Sequence, residues 1–224
     1  MRRSFALLIA IALASLTNLN FAGDQPAAGW KPIFNGKDMT NWKMTGPGEF
    51  KVEDGELVTY GGMGLLTYEK EKLGNCEIKV VFKLMALNDN SGVYIRIPEP
   101  PKEPLNAYPW FAVNNGYEVQ IDNLDNEWHR TGCLYSMTKA KAIVSPKVNE
   151  YAEMIIKLDG LHTTVTVNGE VVTDYKEGDE VPAKVKPGDP DRRPRPETGY
   201  IGLQNHGGHA HVHFKEVSIR ELKK

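Results

Sequence analysis

Apolar and polar residues alternate with a period of two along most of the chain after Gly29. The stretch from Cys76 to Met85 shows this most clearly, because apolar side chains occupy every second position and mostly charged ones lie between them. Successive side chains of a strand point to opposite faces, so the pattern predicts strands with one face in a core. No stretch shows a sustained helical period.

Turn signals divide this pattern into short strands, and Asp54-Gly55, Asp159-Gly160 and Asn168-Gly169 predict tight hairpins. The predicted strands cover residues 50–52, 57–60, 65–67, 76–85, 93–97, 117–122, 133–137, 151–158, 163–167, 171–175, 199–205 and 211–222. Two Pro-rich stretches, 98–115 and 178–197, are predicted loops, and the first is long enough to suggest part of a site. Many short strands predict an all-β sandwich or barrel.

Several predicted strands also carry polar side chains opposite their apolar face. By strict alternation, the polar positions are Tyr94, Arg96, Glu118, Gln120, Asp122, Gln204 and His206. An acid on a core strand is costly unless it is paired or solvated. We therefore predict that this face lines a binding groove.

The first 22 residues are typical of an export signal rather than of a folded domain. Arg2 and Arg3 precede an apolar run from Phe5 to Leu16, and Ala22 is a suitable last residue before cleavage. The run is short for a membrane span, although an uncleaved anchor is the alternative. We predict a signal peptide at 1–22, one domain at 23–224, no integral membrane segment in the mature chain, and a periplasmic or secreted location.

The charge of the predicted mature chain argues against a nucleic-acid partner. Without Arg2 and Arg3, 25 basic residues remain against 29 acidic ones, a net charge of −4, whereas nucleic-acid binding needs a basic patch. Cys76 and Cys133 form a disulfide in an oxidising compartment or remain two buried thiols, and the sequence leaves both open.

Six motifs in order make the chain recognisable. They are Phe34–Trp42, Asn90–Arg96, Gly116–Asn123, Thr131–Tyr135, Val167–Gly169, and Gly202–Gly207 with Val212–Ile219. Together they resemble the bacterial 3-keto-disaccharide hydrolase family, over about the whole of 30–222. The resemblance implies a concanavalin-A-like jelly roll of two antiparallel sheets, and an exported hydrolase acting on glycosides oxidised to a ketone at sugar carbon 3.

Such a substrate sets the chemistry that the groove must provide. The ketone acidifies the proton on carbon 2, so cleavage needs a base, a donor or cation at the enolate oxygen, and an acid for the leaving group. We assign these catalytic roles to His206, Glu118, Asp122 and Arg96. The alternatives are a turn histidine, an Arg96 ion pair with a carboxylate, and an Asp122 that caps its turn.

A small-molecule carbohydrate is the predicted partner, and further side chains suit contact with it. Amides and hydroxyls bind sugar hydroxyl groups, and an aromatic ring can cover an apolar sugar face. The predicted substrate-binding residues are Tyr94, Trp110, Gln120, Tyr135 and Gln204.

A divalent metal remains an open question at the sequence level. His211 and His213 share a strand face, and with His209 they are candidate ligands of a transition ion. The resemblance implies a role only for His206 and none for the other three, so ordinary surface histidines are the favoured interpretation of those. The acidic loop 122–127 lacks the spacing of a known calcium loop, and an Asx turn is favoured there.

Two other functions fit the same groove. A retaining glucanase would use Glu118 and Asp122 as two acids about 5 Å apart. A carbohydrate-binding module would bind sugar without a base.

Overall fold

The computed structural model describes residues 29–100 and 108–222, with Tyr108 described by its backbone alone. Two antiparallel sheets pack face to face, which confirms the predicted all-β sandwich. The elements are β1 (Lys31–Pro32), β2 (Trp42–Thr45), β3 (Glu49–Glu53), β4 (Glu56–Tyr60), β5 (Gly64–Leu73), β6 (Cys76–Leu84), β7 (Asn90–Ile97), α1 (Tyr108–Asn115), β8 (Tyr117–Asp122), β9 (Tyr151–Asp159), β10 (His162–Val167), β11 (Glu170–Lys176), β12 (Gly199–Asn205) and β13 (Val212–Glu221).

The larger sheet has eight strands in the order β11-β10-β9-β6-β13-β4-β3, with β1 also paired to β13. The smaller sheet has five strands in the order β2-β5-β12-β7-β8. Strands distant in sequence, such as β5, β7 and β12, are therefore neighbours. This order brings the polar positions of β7, β8 and β12 onto adjacent strands.

The inward faces of both sheets form the core. Val93, Val119 and Leu203 from the smaller sheet pack with Phe82 and Phe214 from the larger one, and all five are fully buried. The core excludes water from one face of β7, β8 and β12. Their alternate side chains must then lie on the outer face of the smaller sheet.

Helix α1 lies on that outer face, within a stretch that the sequence predicts to be a loop. The eight residues make about two turns, which is too short for a helical period to appear in the sequence. Pro109 suits a first turn, where its missing N–H is not needed. Ala112 and Val113 pack against Leu65, Tyr94 and Ile97 of the sheet.

The predicted strand at 133–137 is wrong. One isolated bridge, Val119 to Leu134, is all that links this segment to β8 by strand pairing. Tight turns follow, since the Met137 amide donates to the Leu134 carbonyl at 2.8 Å, and Ser136 has a positive φ of 57°. Local turn bonds replace the ladder that the alternating side chains suggested.

Alternation also fails at Arg96, which the sequence places on the same face as Tyr94. Arg96 has a φ of 55°, and the pairing of β7 with β12 shifts register between Tyr200 and Gly202. Gly199 permits this bulge, because a Cβ there would lie 2.3 Å from the Arg96 carbonyl carbon. The irregular backbone turns the Arg96 side chain away from the Tyr94 face.

Cys76 and Cys133 are both buried free thiols in the structure. Burial raises the pKa of each to about 11, so neither is a reactive thiolate near neutral pH. The predicted signal peptide at 1–22 lies outside the described residues. Within 29–100 and 108–222, no helix has the length and apolar character needed to cross a bilayer.

Candidate active site

A cavity of about 360 Å³ opens on the outer face of the smaller sheet. Strands β7, β8 and β12 form its floor, and α1 and two loops form its walls. Its lining residues are Met63, Asn90, Tyr94, Pro109, Trp110, Val113, Glu118, Gln120, Asp125, Tyr135, Lys186, Gly188, Gln204 and His206. Seven of the nine predicted catalytic and substrate-binding residues are among them, and the exceptions are Arg96 and Asp122.

Glu118 lies at the centre of the floor and is 7% exposed. The Tyr94 hydroxyl donates to its Oε2 at 3.2 Å, and the Gln204 amide donates to its Oε1 at 2.7 Å. With the Gln120 amide oriented to satisfy its neighbours, its nitrogen donates to the same Oε1 at 3.1 Å. Side chains from three adjacent strands thus hold one carboxyl group.

Burial raises the pKa of Glu118 to about 8, against the opposing effect of the hydrogen bonds from Tyr94 and Gln204. No cationic group contacts the carboxyl to offset the loss of solvation, among the described residues. Glu118 is therefore mostly protonated at neutral pH, in the range where a carboxyl group exchanges protons with a substrate.

Gly92 makes the room that this carboxyl occupies. It pairs with Gln120 across β7 and β8, and a Cβ at position 92 would lie 2.6 Å from Glu118 Oε1 and 2.8 Å from Glu118 Cγ. The Glu118 side chain therefore lies directly over the Gly92 backbone. Only glycine at this position leaves the carboxyl in place.

Two acceptor atoms at the cavity have no donor among the described residues. Gln204 uses its amide nitrogen to bond Tyr94 at 3.0 Å and Glu118, and its Oε1 is buried without a partner. Asn90 donates to Asp122 at 2.7 Å, and its Oδ1 is likewise buried and unpaired. Buried acceptors normally have donors, so the two atoms fit a ligand rich in hydroxyl groups.

Trp110 of α1 offers the cavity a flat apolar surface and is 50% exposed. Pro109 and Val113 lie beside it along the same wall. Lys186 adds a positive charge to the lining, near the Tyr135 phenol. Burial raises the pKa of that phenol, and the charge on Lys186 partly opposes the rise. The cavity thus combines an aromatic wall with a cation.

His206 lies at the rim of the cavity, directly after β12. Its Nδ1 lies 3.2 Å from the Gly207 carbonyl, the next residue along the chain. The ring is half-buried, so Nε2 can face a molecule in the cavity.

Arg96 lies outside the cavity and is 1% exposed. Its guanidinium donates to the carbonyls of Glu197 at 2.5 Å, Gly160 at 2.7 Å and Pro196 at 3.2 Å. The side chain therefore ties β7 to a hairpin turn and to the end of the 178–197 loop. It forms no ion pair with Glu118 or Asp122.

Asp122 supports the cavity from behind. Its Oδ1 accepts the Leu124 amide at 2.7 Å and the Asp125 amide at 3.1 Å, which is an Asx turn. Its Oδ2 accepts the Asn90 amide. Because both oxygens are occupied, Asp122 positions Asn90 and Asp125 and does not itself face the cavity.

A chain of polar contacts links Asp125 at the cavity to the 178–197 loop. Asp125 contacts His129 Nδ1 at 3.1 Å, and His129 Nε2 lies 2.7 Å from Ser136 Oγ. The Ser136 hydroxyl donates to Asp189 at 3.1 Å, and Asp189 accepts the Lys186 backbone amide at 3.0 Å. Since Ser136 gives its proton to Asp189, the arrangement holds the loop and does not activate a serine nucleophile.

Sequence reasoning missed Asn90, Asp125 and Lys186 as cavity residues. Asn90 can be recognised as a cavity residue only when the pairing of β7 with β8 is known, because that pairing places it opposite Asp122. Lys186 comes from a Pro-rich stretch without periodicity, so no local pattern indicates it. Its place depends on the long-range contacts of Asp189.

His211 and His213 lie away from this cavity, on the outer side of the larger sheet. Within the described part of the chain, no group of three or more His, Cys, Asp or Glu residues is arranged around a common metal position. The candidate ligand His209 is exposed and does not line the cavity.

Comparison with known proteins places this two-sheet fold in a family. The chain belongs to the family described as the 3-keto-alpha-glucoside-1,2-lyase-like domain, whose model matches residues 29–220. Among curated protein sequences, none matches the chain significantly.

Solved structures agree with this assignment. Two proteins of Parabacteroides distasonis, each provisionally named a glycosyl hydrolase, are similar to the chain. One is 27% identical and covers 87% of this chain and 94% of its own, with a TM-score of 0.69. The other is 25% identical, with coverages of 86% and 99% and a TM-score of 0.67.

A more distant structure is similar in fold alone. The carbohydrate-binding module CBM66 from Bacillus subtilis is 13% identical, covers 81% of this chain and 96% of its own, and has a TM-score of 0.52. The protein is therefore a jelly roll of the 3-keto-alpha-glucoside-1,2-lyase-like family, similar to two proteins provisionally named glycosyl hydrolases.

Proposed function

We propose that this protein cleaves the glycosidic bond of 3-keto sugars in the cavity above β7, β8 and β12. The observation that carries the proposal is Glu118, a buried carboxyl group whose pKa is about 8 and which lies among hydroxyl-binding groups. A module that only binds sugar has no need for an acid with this pKa, which favours proton transfer. The family description supports the same class of substrate.

The reaction proceeds through the proton on carbon 2. A base removes that proton, and the electron pair of the C–H bond moves to form an enolate with its charge on the carbon 3 oxygen. When the enolate collapses, the bond from carbon 1 to the glycosidic oxygen breaks and that oxygen takes a proton from an acid. Water can then add across the new double bond, which completes a net hydrolysis.

The protonation states assign the two proton-transfer roles. Glu118 holds a proton at neutral pH and is the proton donor to the leaving oxygen. His206, half-buried at the rim, is the base at carbon 2, since a neutral imidazole has a ring nitrogen whose lone pair can accept a proton. Lys186 and Tyr135 lie where a cation and a hydroxyl can stabilise the enolate oxygen.

The remaining cavity residues orient the sugar. The unpaired Oε1 of Gln204 and Oδ1 of Asn90 accept hydrogen bonds from hydroxyl groups. Gln120 adds an amide beside Glu118, and Trp110 covers an apolar face of the ring. Arg96 has no part in this chemistry, because its guanidinium is bonded to backbone carbonyls outside the cavity.

The proposal is tested by incubating the purified protein with a 3-keto disaccharide and with its unoxidised parent, and following release of monosaccharide. We expect release from the keto sugar alone. Glu118→Gln and His206→Ala should each abolish release without unfolding the protein, whereas His162→Ala, on β10 of the larger sheet and outside the cavity, should release sugar normally. Equal cleavage of both sugars would contradict the proposal, as would full activity of either cavity variant.

Carbohydrate binding without turnover is the second candidate, and the half-exposed Trp110 favours it. It predicts that the protein binds unoxidised sugars, and that Glu118→Gln leaves their affinity unchanged while Trp110→Ala weakens it. A retaining glucanase is disfavoured, because both carboxylate oxygens of Asp122 already accept hydrogen bonds, one from its turn and one from Asn90, so Asp122 cannot be the second acid. Isothermal titration with the parent disaccharide separates these cases.

We further propose a location outside the cytoplasm, because the sequence of residues 1–22 is typical of an export signal. We propose that this segment is removed and that the mature chain begins at Gly23. Sequencing the N-terminus of the protein recovered outside the cytoplasm tests this, and an intact Met1 in that fraction would contradict it.

A further inference from the structure

A second polar cluster lies on the outer face of the larger sheet, away from the sugar cavity. It consists of Glu56 on β4, of His211 immediately before β13, and of His213 on β13. β4 and β13 are paired, and His213 is opposite Val58. None of the three side chains lines the proposed active site.

The two imidazoles have the same internal arrangement. His213 Nδ1 lies 2.8 Å from Glu56 Oε2, and His211 Nδ1 lies 3.1 Å from the Thr59 carbonyl oxygen. Both partners are pure acceptors, so each ring carries its proton on Nδ1. The lone pair of each ring is therefore on Nε2.

Those two lone-pair nitrogens face each other. His211 Nε2 and His213 Nε2 are 3.3 Å apart, and the two rings stand nearly perpendicular with centroids 5.0 Å apart. Two acceptor nitrogens at this separation repel each other unless a positive species lies between them. Either a proton on one ring or a metal ion can fill that role.

The geometry points to a metal. A zinc ion binds imidazole nitrogen at about 2.0–2.1 Å, and an ion at that distance from both nitrogens would make an N–metal–N angle of roughly 105°, close to tetrahedral. Histidine ligands also characteristically donate their second N–H to a carboxylate or a backbone carbonyl. Here one ring has the carboxylate of Glu56 and the other has the carbonyl of Thr59.

We propose that His211 and His213 bind a divalent transition ion of the zinc, copper or nickel type through their Nε2 atoms. Glu56 positions His213 and contributes negative charge beside the ion. Lys83 lies 3.9 Å from Glu56 and Tyr151 donates to the other Glu56 oxygen, so the carboxylate is held in place from both sides. Since the described residues supply two ligands, water completes the coordination at this half-buried surface.

The site is distinct from the proposed catalytic chemistry. The proposed reaction uses the side chains of Glu118 and His206 for proton transfer, and the histidine pair lies on the opposite sheet. A metal here would link His213 on β13 to His211 just before it, and through Glu56 it would connect both to β4. Chelation should therefore lower stability without removing the groups that transfer protons.

The test is calorimetric titration of the purified, chelator-treated protein with zinc chloride at neutral pH. We expect one zinc site, lost in His211→Ala and in His213→Ala. Glu56→Gln should weaken binding by about tenfold or more, because it removes the partner that orients His213. His162→Ala is the matched control, since His162 also contacts a carboxylate, Asp174 at 2.6 Å, but faces no second imidazole.

A second measurement protects the test against variants that unfold. Copper(II) bound to the wild-type protein should give an electron paramagnetic resonance spectrum with coupling to two imidazole nitrogens. Zinc binding in the wild type that is no tighter than in the His211→Ala variant would overturn the proposal and assign the close contact to a shared proton. A copper spectrum without two nitrogen couplings would overturn it equally.

Discussion

Glu118 shows how burial sets the chemistry of one residue. Tyr94, Gln204 and Gln120 all present donors to its carboxyl, and such donors ordinarily favour the charged form. Burial of the side chain at the floor of the cavity outweighs them and raises the pKa to about 8. The residue is thus an acid at neutral pH because of the sheet around it.

The raised pKa makes stability depend on pH in a defined window. Glu118 titrates near 4.5 when exposed and near 8 in the folded protein, so the folded state binds the extra proton between these values. The stabilisation is complete below about pH 4.5 and is lost as the pH rises through 8, at up to about 1.4 kcal/mol per pH unit.

Replacing Glu118 with Gln removes this dependence. We compare the free energies of unfolding of Glu118→Gln and wild type by urea denaturation from pH 5 to pH 9. The free energy of unfolding of the variant should rise relative to that of the wild type as the pH increases to about 8, by a few kcal/mol in total. Parallel stability profiles across that range would show that Glu118 ionises in the folded protein as it does in water.

Gly92 is the second residue on which the cavity depends. In Gly92→Ala the new methyl group would overlap the Glu118 carboxyl, which must then leave its donors. We expect turnover of the keto sugar to fall by about a hundredfold, with a stability cost of about 1–3 kcal/mol. Gly188→Ala is the control, because Gly188 also lines the cavity but a Cβ there meets nothing within 4 Å. Equal activities of the two variants would refute this explanation.

At the scale of the element, the bulge in β7 directs two neighbouring polar side chains to different places. Tyr94 faces the cavity, and two residues later the left-handed backbone of Arg96 sends its side chain to the 159–160 turn and the 196–197 segment. A carbonyl that loses such a charged donor while buried costs about 1.5–3 kcal/mol.

Arg96→Lys should therefore act on stability alone. Lysine cannot reach three carbonyls from one planar group, so we expect the free energy of unfolding to fall by about 2 kcal/mol. The Michaelis constant for the keto sugar should stay at the wild-type value under conditions where both proteins are folded. A raised Michaelis constant with unchanged stability would place Arg96 in contact with the substrate.

Elements that the alternating pattern describes were predicted well, and the exceptions have local causes. The polar faces of β8 and β12 follow strict alternation, so Glu118, Gln120 and Gln204 reach the cavity as the sequence indicates. The segment at 133–137 alternates too, but its turn bonds prevent pairing beyond one bridge. Helix α1 is too short for its period to be read.

At the scale of the whole molecule, the cavity is assembled from segments that only the fold brings together. Trp110 arrives on α1, Lys186 on a loop fixed by Asp189, and Asn90 through the register of β7 with β8. No local pattern predicts these neighbours. The sandwich itself was predictable, because a two-residue period with turn signals requires two faces and a core.

The whole molecule also separates the two proposed sites by sheet. The smaller sheet carries the cavity on its outer face, and the larger sheet carries the histidine pair on its own outer face. A cluster of buried apolar residues from both sheets lies between them. The two sites can therefore be altered independently.

The central claim is that the cavity removes the proton next to the ketone. A 3-keto disaccharide carrying deuterium at carbon 2 tests it directly, with buffer alone and His206→Ala, which lacks the proposed base, as controls for spontaneous exchange. The account predicts that the deuteron passes to water as the monosaccharide is released by the wild-type protein. A released keto sugar that keeps its deuterium would contradict the account and indicate direct displacement at carbon 1.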